Sequence, residues 1–196
     1  MRTKLPLLSL AAAAALAVPM PALAQASDSD TGEVAINGRV TPICILGEPS
    51  QPVVDLGQLI ELSGSRVGRI AALGAQTVTM PDSFCNFAGS VATIEATALV
   101  ETSSAVSTPP ASFARAVNYD ASAGTWGGGT ASTTTFAAAD GSNPTSEGDS
   151  AVQGTPRLTD IVVNLGGWSA PGDNILVAGD YAGLVRVTIG PATVAQ

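Results

Sequence analysis

Residues 91–100 read Val91-Ala92-Thr93-Ile94-Glu95-Ala96-Thr97-Ala98-Leu99-Val100. Ala92, Ile94, Ala96, Ala98 and Val100 fall on one side of an extended chain, and Thr93, Glu95 and Thr97 fall on the other. A period of two marks a strand with one face in a core and one in water. Weaker copies of this pattern run outward in both directions. Toward the C-terminus they are Phe113 to Tyr119, Leu158 to Leu165, Ile175 to Ala178 and Tyr181 to Ile189. In the last of these, Val185, Val187 and Ile189 face one way, with Arg186 and Thr188 opposed. Toward the N-terminus they are Gln76 to Met80, Val53 to Gly57, Ile43 to Leu46 and Val34 to Val40. Pro-Asp, Pro-Gly, Gly-Gly and Asp-Gly steps separate them, the residues that turns demand. The segment 121–156, rich in Gly, Ser, Thr and Ala, has no clear period and is divided here between strand and exposed loop. Leu59 to Ala72 has some helical spacing, but Gly64 and Gly68 reduce it to a turn. Short strands at regular intervals predict an all-β, immunoglobulin-like antiparallel β-sandwich.

The first residues read differently. Arg2 and Lys4 precede an apolar stretch, Leu5 to Val18, which ends at Pro19 and Pro21 before Ala22-Leu23-Ala24. That is the layout of a signal peptide over residues 1–24, with cleavage before Gln25. The apolar run is shorter than the roughly 20 residues a membrane span requires, so no membrane anchor is expected. After cleavage the chain keeps all sixteen carboxylates against six arginines, with no lysine. Such an acidic balance opposes nucleic acid and anionic membrane surfaces, which need clustered cations. Arg66 and Arg69 form the one close pair, read as surface charge. Cys44 and Cys85 are the only cysteines. In an exported chain they read as a disulfide, the alternative being two buried thiols. Closing a loop of that length stabilises by about 4 kcal/mol on the chain-entropy model.

Missing residue types narrow the chemistry further. There is no histidine, which removes Ser-His-Asp and Cys-His catalysis and histidine zinc sites. Without lysine there is no Schiff-base nucleophile and no isopeptide cross-link. Paired-carboxylate hydrolysis needs only two acids, but Asp120, Asp140 and Asp173 are read singly as turn residues. Asp140 with Glu147-Gly148-Asp149 lacks the spacing of a calcium loop. No catalytic residue, metal or cofactor is assigned, and the chain is read as a non-enzyme.

Ile36-Asn37-Gly38-Arg39-Val40-Thr41-Pro42-Ile43-Cys44 resembles the first strand of chaperone–usher pilins, and Val54-Asp55-Leu56-Gly57 resembles the step after their first cysteine. Cys85 falls where their second cysteine does, and the pair would tie the first two strands together. Val177-Ala178-Gly179-Asp180-Tyr181-Ala182-Gly183 is similar to the approach to their last strand, as also in spore coat protein U-like secreted proteins. The resemblance covers both ends of the exported chain and leaves 103–156 uncovered.

The resemblance implies a sandwich lacking its final strand over residues 37–196, with a groove lined by Val185, Val187 and Ile189. Residues 25–36 would be an N-terminal extension whose Val34 and Ile36 enter a neighbour's groove. The implied function is a structural or tip subunit of a bacterial surface fibre assembled by non-covalent strand exchange, with adhesion among the roles the resemblance implies. Its partners would be neighbouring pilin subunits, a periplasmic chaperone and an outer-membrane usher, with the periplasm as a transit compartment before the cell surface. The alternative is a secreted or cell-surface carbohydrate-binding β-sandwich module. Trp126 or Trp168, in glycine-rich loops, would then offer a flat face to a sugar ring, unless both pack over the sandwich end.

Overall fold

Alternation of small apolar and polar residues builds a near-closed antiparallel sheet in the computed structural model, which describes residues 31–103, 106–124 and 126–192. The proposed signal peptide, 1–24, and the first part of the extension, 25–30, lie outside the described residues. A compact unit begins at Val40. Its strands are β1 Cys44–Ile45, β2 Gln76–Cys85, β3 Ser90–Glu101, β4 Phe113–Ala114, β5 Ala116–Gly124, β6 Ala131–Thr134, β7 Thr145–Gln153, β8 Arg157–Ser169, β9 Ile175–Leu176 and β10 Tyr181–Pro191. Single turns of 3-10 helix occupy Gly64–Arg66 and Pro171–Asp173. Among the described residues no helix is long and apolar enough to cross a membrane.

The main sheet runs β1-β2-β8-β5-β3-β10, with β6 added to β5 and β7 to β3. Every pairing in it is antiparallel; only the two-residue pair β4–β9, outside this sheet, is parallel. Strand β5 carries the sheet round its bend. Ala116 and Val117 pair with Val100 and Leu99 of β3, whereas Asn118 to Gly124 pair with β8. Strand β3 behaves as its alternation predicts: Ala92, Ile94, Ala96 and Ala98 are buried and Thr93 is exposed. The core inside the sheet joins Ala92, Ile94 and Ala96 to Tyr119, Ala121, Ala123, Trp126, Ala131, Ala151, Ile161 and Val163, while Ala98 packs with Ala116 and Ala137 in a separate small cluster. Alanines dominate because opposed walls must approach closely, and the large side chains fill what remains.

Three expected elements differ. Residues 34–40 are irregular and exposed rather than a strand, and none of them joins a ladder among the described residues. Residues 53–57 form no strand either; the Asp55 carboxylate accepts the Gly57 N–H at 2.8 Å and turns the chain there. Strand β2 does not stop at Pro81-Asp82 but passes through a bulge, where the buried Ser83 hydroxyl donates to the Met80 carbonyl at 3.0 Å. The segment 121–156 contains the end of β5 and all of β6 and β7. Ala121, Ala123, Ala131 and Ala151 point inward in it.

The bridge Cys44–Cys85 is formed and joins β1 to β2 at directly paired positions. Arg66 and Arg69 both bind Asp173, at 2.9 and 3.3 Å, and so fasten the 64–69 loop to the turn before β9. The Arg66 guanidinium holds the Asp173 carboxyl below the usual carboxylate range, with help from Arg69. Glu101 and Arg115 form a second, nearly buried pair at 3.2 Å.

Candidate functional site

The path through this near-closed sheet ends at β1 and β10, with β6 and β7 branching from it. Strand β10 pairs with β3 along one edge from Tyr181 to Pro191. Its other edge has no strand partner among the described residues. Facing that free edge is the irregular segment 52–56, and between the two runs a groove of about 290 Å³. Val53, Val54 and Leu56 form one wall, Leu184 and Val185 the other, and Tyr119 and Trp168 lie at its floor. No charged side chain lines it.

Of the three β10 residues expected to line an acceptor groove, only Val185 lines this one, although all three share one inward face. Val187 is buried, whereas Val185 and Ile189 pack against the core while still partly exposed. Leu184 at the rim is 53 % exposed and Val53 74 %. Apolar side chains left in water beside an unpaired backbone edge make a surface that gains from an added strand. Val34 and Ile36 lie in the irregular chain before Val40 and are 86 % and 92 % exposed.

The edge of β10 is held in shape by a bulge. The register slips between Ala182 and Leu184, and a Cβ on Gly183 would stand 2.6 Å from the Thr97 carbonyl oxygen, so only glycine fits. The Tyr119 hydroxyl reaches across the core to this point, 3.0 Å from the Thr97 carbonyl and 3.2 Å from that of Leu184. Burial pushes the phenol up to about 12, so it remains a donor at physiological pH. Trp168 packs on Tyr119 with ring centroids 5.1 Å apart, and its indole N–H donates to Gly74 at 3.2 Å. Val53, Leu184, Tyr119 and Trp168 were not singled out from the sequence as groove residues. The Val54-Asp55-Leu56-Gly57 motif was the available signal for one wall.

The carbohydrate reading changes in its particulars. Trp126 is fully buried and offers no face to a ligand; it fills the core behind a glycine-rich turn. Trp168 is half-buried against Tyr119. Asp140 does serve a turn, accepting from the Ser142 hydroxyl at 2.7 Å and N–H at 3.0 Å, which lowers its pKa. Asp120 does not: it sits within β5 and accepts from the Thr134 hydroxyl at 2.6 Å. Among the described residues no three metal-ligating side chains come close enough to hold an ion. No family profile matches the chain, and neither a curated protein nor a solved structure gives a match.

Proposed function

We propose that the chain is an exported, non-enzymatic subunit of a bacterial surface fibre, an immunoglobulin-like sandwich lacking one strand that joins its neighbours by strand addition. The observation that carries this reading is the strand order. A seven-stranded immunoglobulin sandwich places its first, second, fifth and fourth strands in one sheet and its third, sixth and seventh in the other. Taking β1, β2, β3, β5, β8 and β10 as the first six, the order β1-β2-β8-β5 and β3-β10 matches. The seventh would flank β10, at the edge that lies free.

An incoming strand would satisfy the N–H and C=O groups of that edge and place every second side chain in the groove. Val34 and Ile36 of another copy have the required spacing and are exposed. A periplasmic chaperone would cover the same edge during transit and an outer-membrane usher would hand subunits on, since an uncovered apolar edge aggregates.

The test is the melting temperature of protein lacking residues 25–36, with and without a peptide of that sequence. Peptide at about a hundred times its Kd should stabilise by about 2.7 kcal/mol. For a domain of this size that is a rise of about 5–10 °C. A truncated protein equally stable with and without peptide would mean a sheet that needs no further strand, and would end the fibre reading.

A further inference from the structure

The outer surface of the sheet carries a second concavity, remote in character from the apolar groove. It has a volume of about 880 Å³ and is bounded by β5, β6, β7 and β8, within the roughly 300–1,000 Å³ range of small-molecule sites. We propose that this cleft binds a neutral oligosaccharide, with Phe136 as the platform for one sugar ring. The proposal does not depend on strand addition.

Phe136 is the first reason. It is 75 % exposed while both its neighbours are buried, Thr135 at 0 % and Ala137 at 3 %. A single exposed apolar side chain is ordinary by itself; what sets Phe136 apart is that it lines this cleft. Its backbone is also fixed. Thr135 N–H donates to the Tyr119 carbonyl at 3.0 Å, and Tyr119 N–H donates to the Thr135 hydroxyl at 2.9 Å. On the other side the Asn118 amide clasps the Ala137 backbone, donating at 3.1 Å and accepting at 2.8 Å. Four hydrogen bonds thus fix the chain on both sides of one exposed ring, and an anchor ordered in advance loses little entropy on binding.

The second reason is the polar floor. Paired strand positions set Asn164, Ser122 and Ser132 in one row, and Asp120 with Thr134 in the next. Glu147 and Asp149 of β7 bound the cleft on the far side. Carboxylates accept hydroxyl protons, hydroxyls do both, and the asparagine amide donates and accepts. That inventory suits a ligand whose edges are hydroxyls and whose face is C–H. No arginine lines the cleft, so an anionic ligand would meet only repulsion. Among the described residues no metal cluster exists to make the carboxylates a cation site.

The experiment is calorimetric titration of the full chain with cellotetraose, maltotetraose, mannotetraose and N-acetylchitotetraose, beside sialyllactose and tetra-arginine. At least one neutral tetrasaccharide should bind with Kd at or below about 1 mM. Phe136→Ala should weaken that binding about tenfold or more with an unchanged melting temperature. Asn164→Ala, on the exposed floor, should weaken it as well and serves if the first variant does not fold. Failure of all four neutral sugars to bind overturns the proposal. So does binding indifferent to both substitutions, or binding of only sialyllactose or tetra-arginine. None of these outcomes bears on whether the 25–36 peptide raises the melting temperature.

Discussion

The two sides on which the sheet bends shut are built from opposite kinds of sequence. On one, β6 and β7 lie against each other: the Thr133 hydroxyl sits 3.4 and 3.3 Å from the Ser146 and Glu147 carbonyls. Gly148 lies so close beneath Ser132 that a Cβ there would be 2.4 Å from the Ser132 carbonyl oxygen. That side comes from the least strand-like part of the chain, yet it is sealed by close packing, with no ladder between β6 and β7 among the described residues. The other side has β10, among the most regular strands, facing the irregular 52–56 segment, and it is open. Closure here follows from small residues that let backbones touch, whereas apolar character without a backbone partner leaves a groove.

The largest effect should come at the margin of the open side. Removing the bridge with Cys44→Ala and Cys85→Ala together should cost about 4 kcal/mol in denaturant unfolding. A loss near zero would mean that β1 needs no anchoring. On the sealed side, Gly148→Ala should destabilise by about 1–3 kcal/mol, because a methyl group meets backbone that cannot yield cheaply. Gly190→Ala on β10, with nothing within 4 Å of its Cβ, should change stability by less than about 0.5 kcal/mol. Equal effects at the two glycines would erase the contrast.

Tyr119→Phe should cost about 1 kcal/mol by removing the hydroxyl that serves the β10 bulge. It carries a pH signature. Tyr119 and Tyr181 are both raised from 10.0 to about 12, chiefly by burial. A raised phenol contributes stability that is whole below pH 10 and is lost as pH climbs through about 12. The wild-type protein should therefore weaken across that window, and Tyr119→Phe should flatten part of the fall. A wild-type stability constant from pH 9 to beyond 12 would contradict both burials.

The smallest effect on stability should be that of Leu184→Ala at the exposed rim, within about 0.5 kcal/mol. On the reading of β10 as an acceptor edge, the same change should weaken the 25–36 peptide about fivefold or more. A variant that loses stability but binds peptide normally would place Leu184 in the core rather than in the groove.

How far the sequence could be read depended on contrast between inward and outward residues. In β3 and β10 the contrast is Ala, Ile or Val against outward positions that include a charge, Glu95 in β3 and Arg186 in β10, and both strands lie where their periods place them. In the end of β5 and in β6 it is Ala against Ser or Thr, and β7 has Glu147, Gly148 and Asp149 at its centre with Ala151 its one buried apolar residue, too faint to separate from loop. Leu158 shows a different limit. It is apolar like Ile161, but it is three positions away and so belongs to the opposite face, 69 % exposed. For the groove, β10 was legible from its own residues. Tyr119 and Trp168 were not, because each reaches it from a distant strand.

By itself the sequence determined an all-β chain, the two cysteines that form its one bridge, and the inward faces of its clearest strands. These are local matters, set by side-chain period and by how many partners a cysteine has. Tertiary structure alone decided that the weak segment seals one side of the sheet, that the other side stays open, and that Trp126 is core while Phe136 faces water. Those outcomes depend on which backbones come within hydrogen-bonding distance, and no periodicity along the chain encodes the distance between two of its parts.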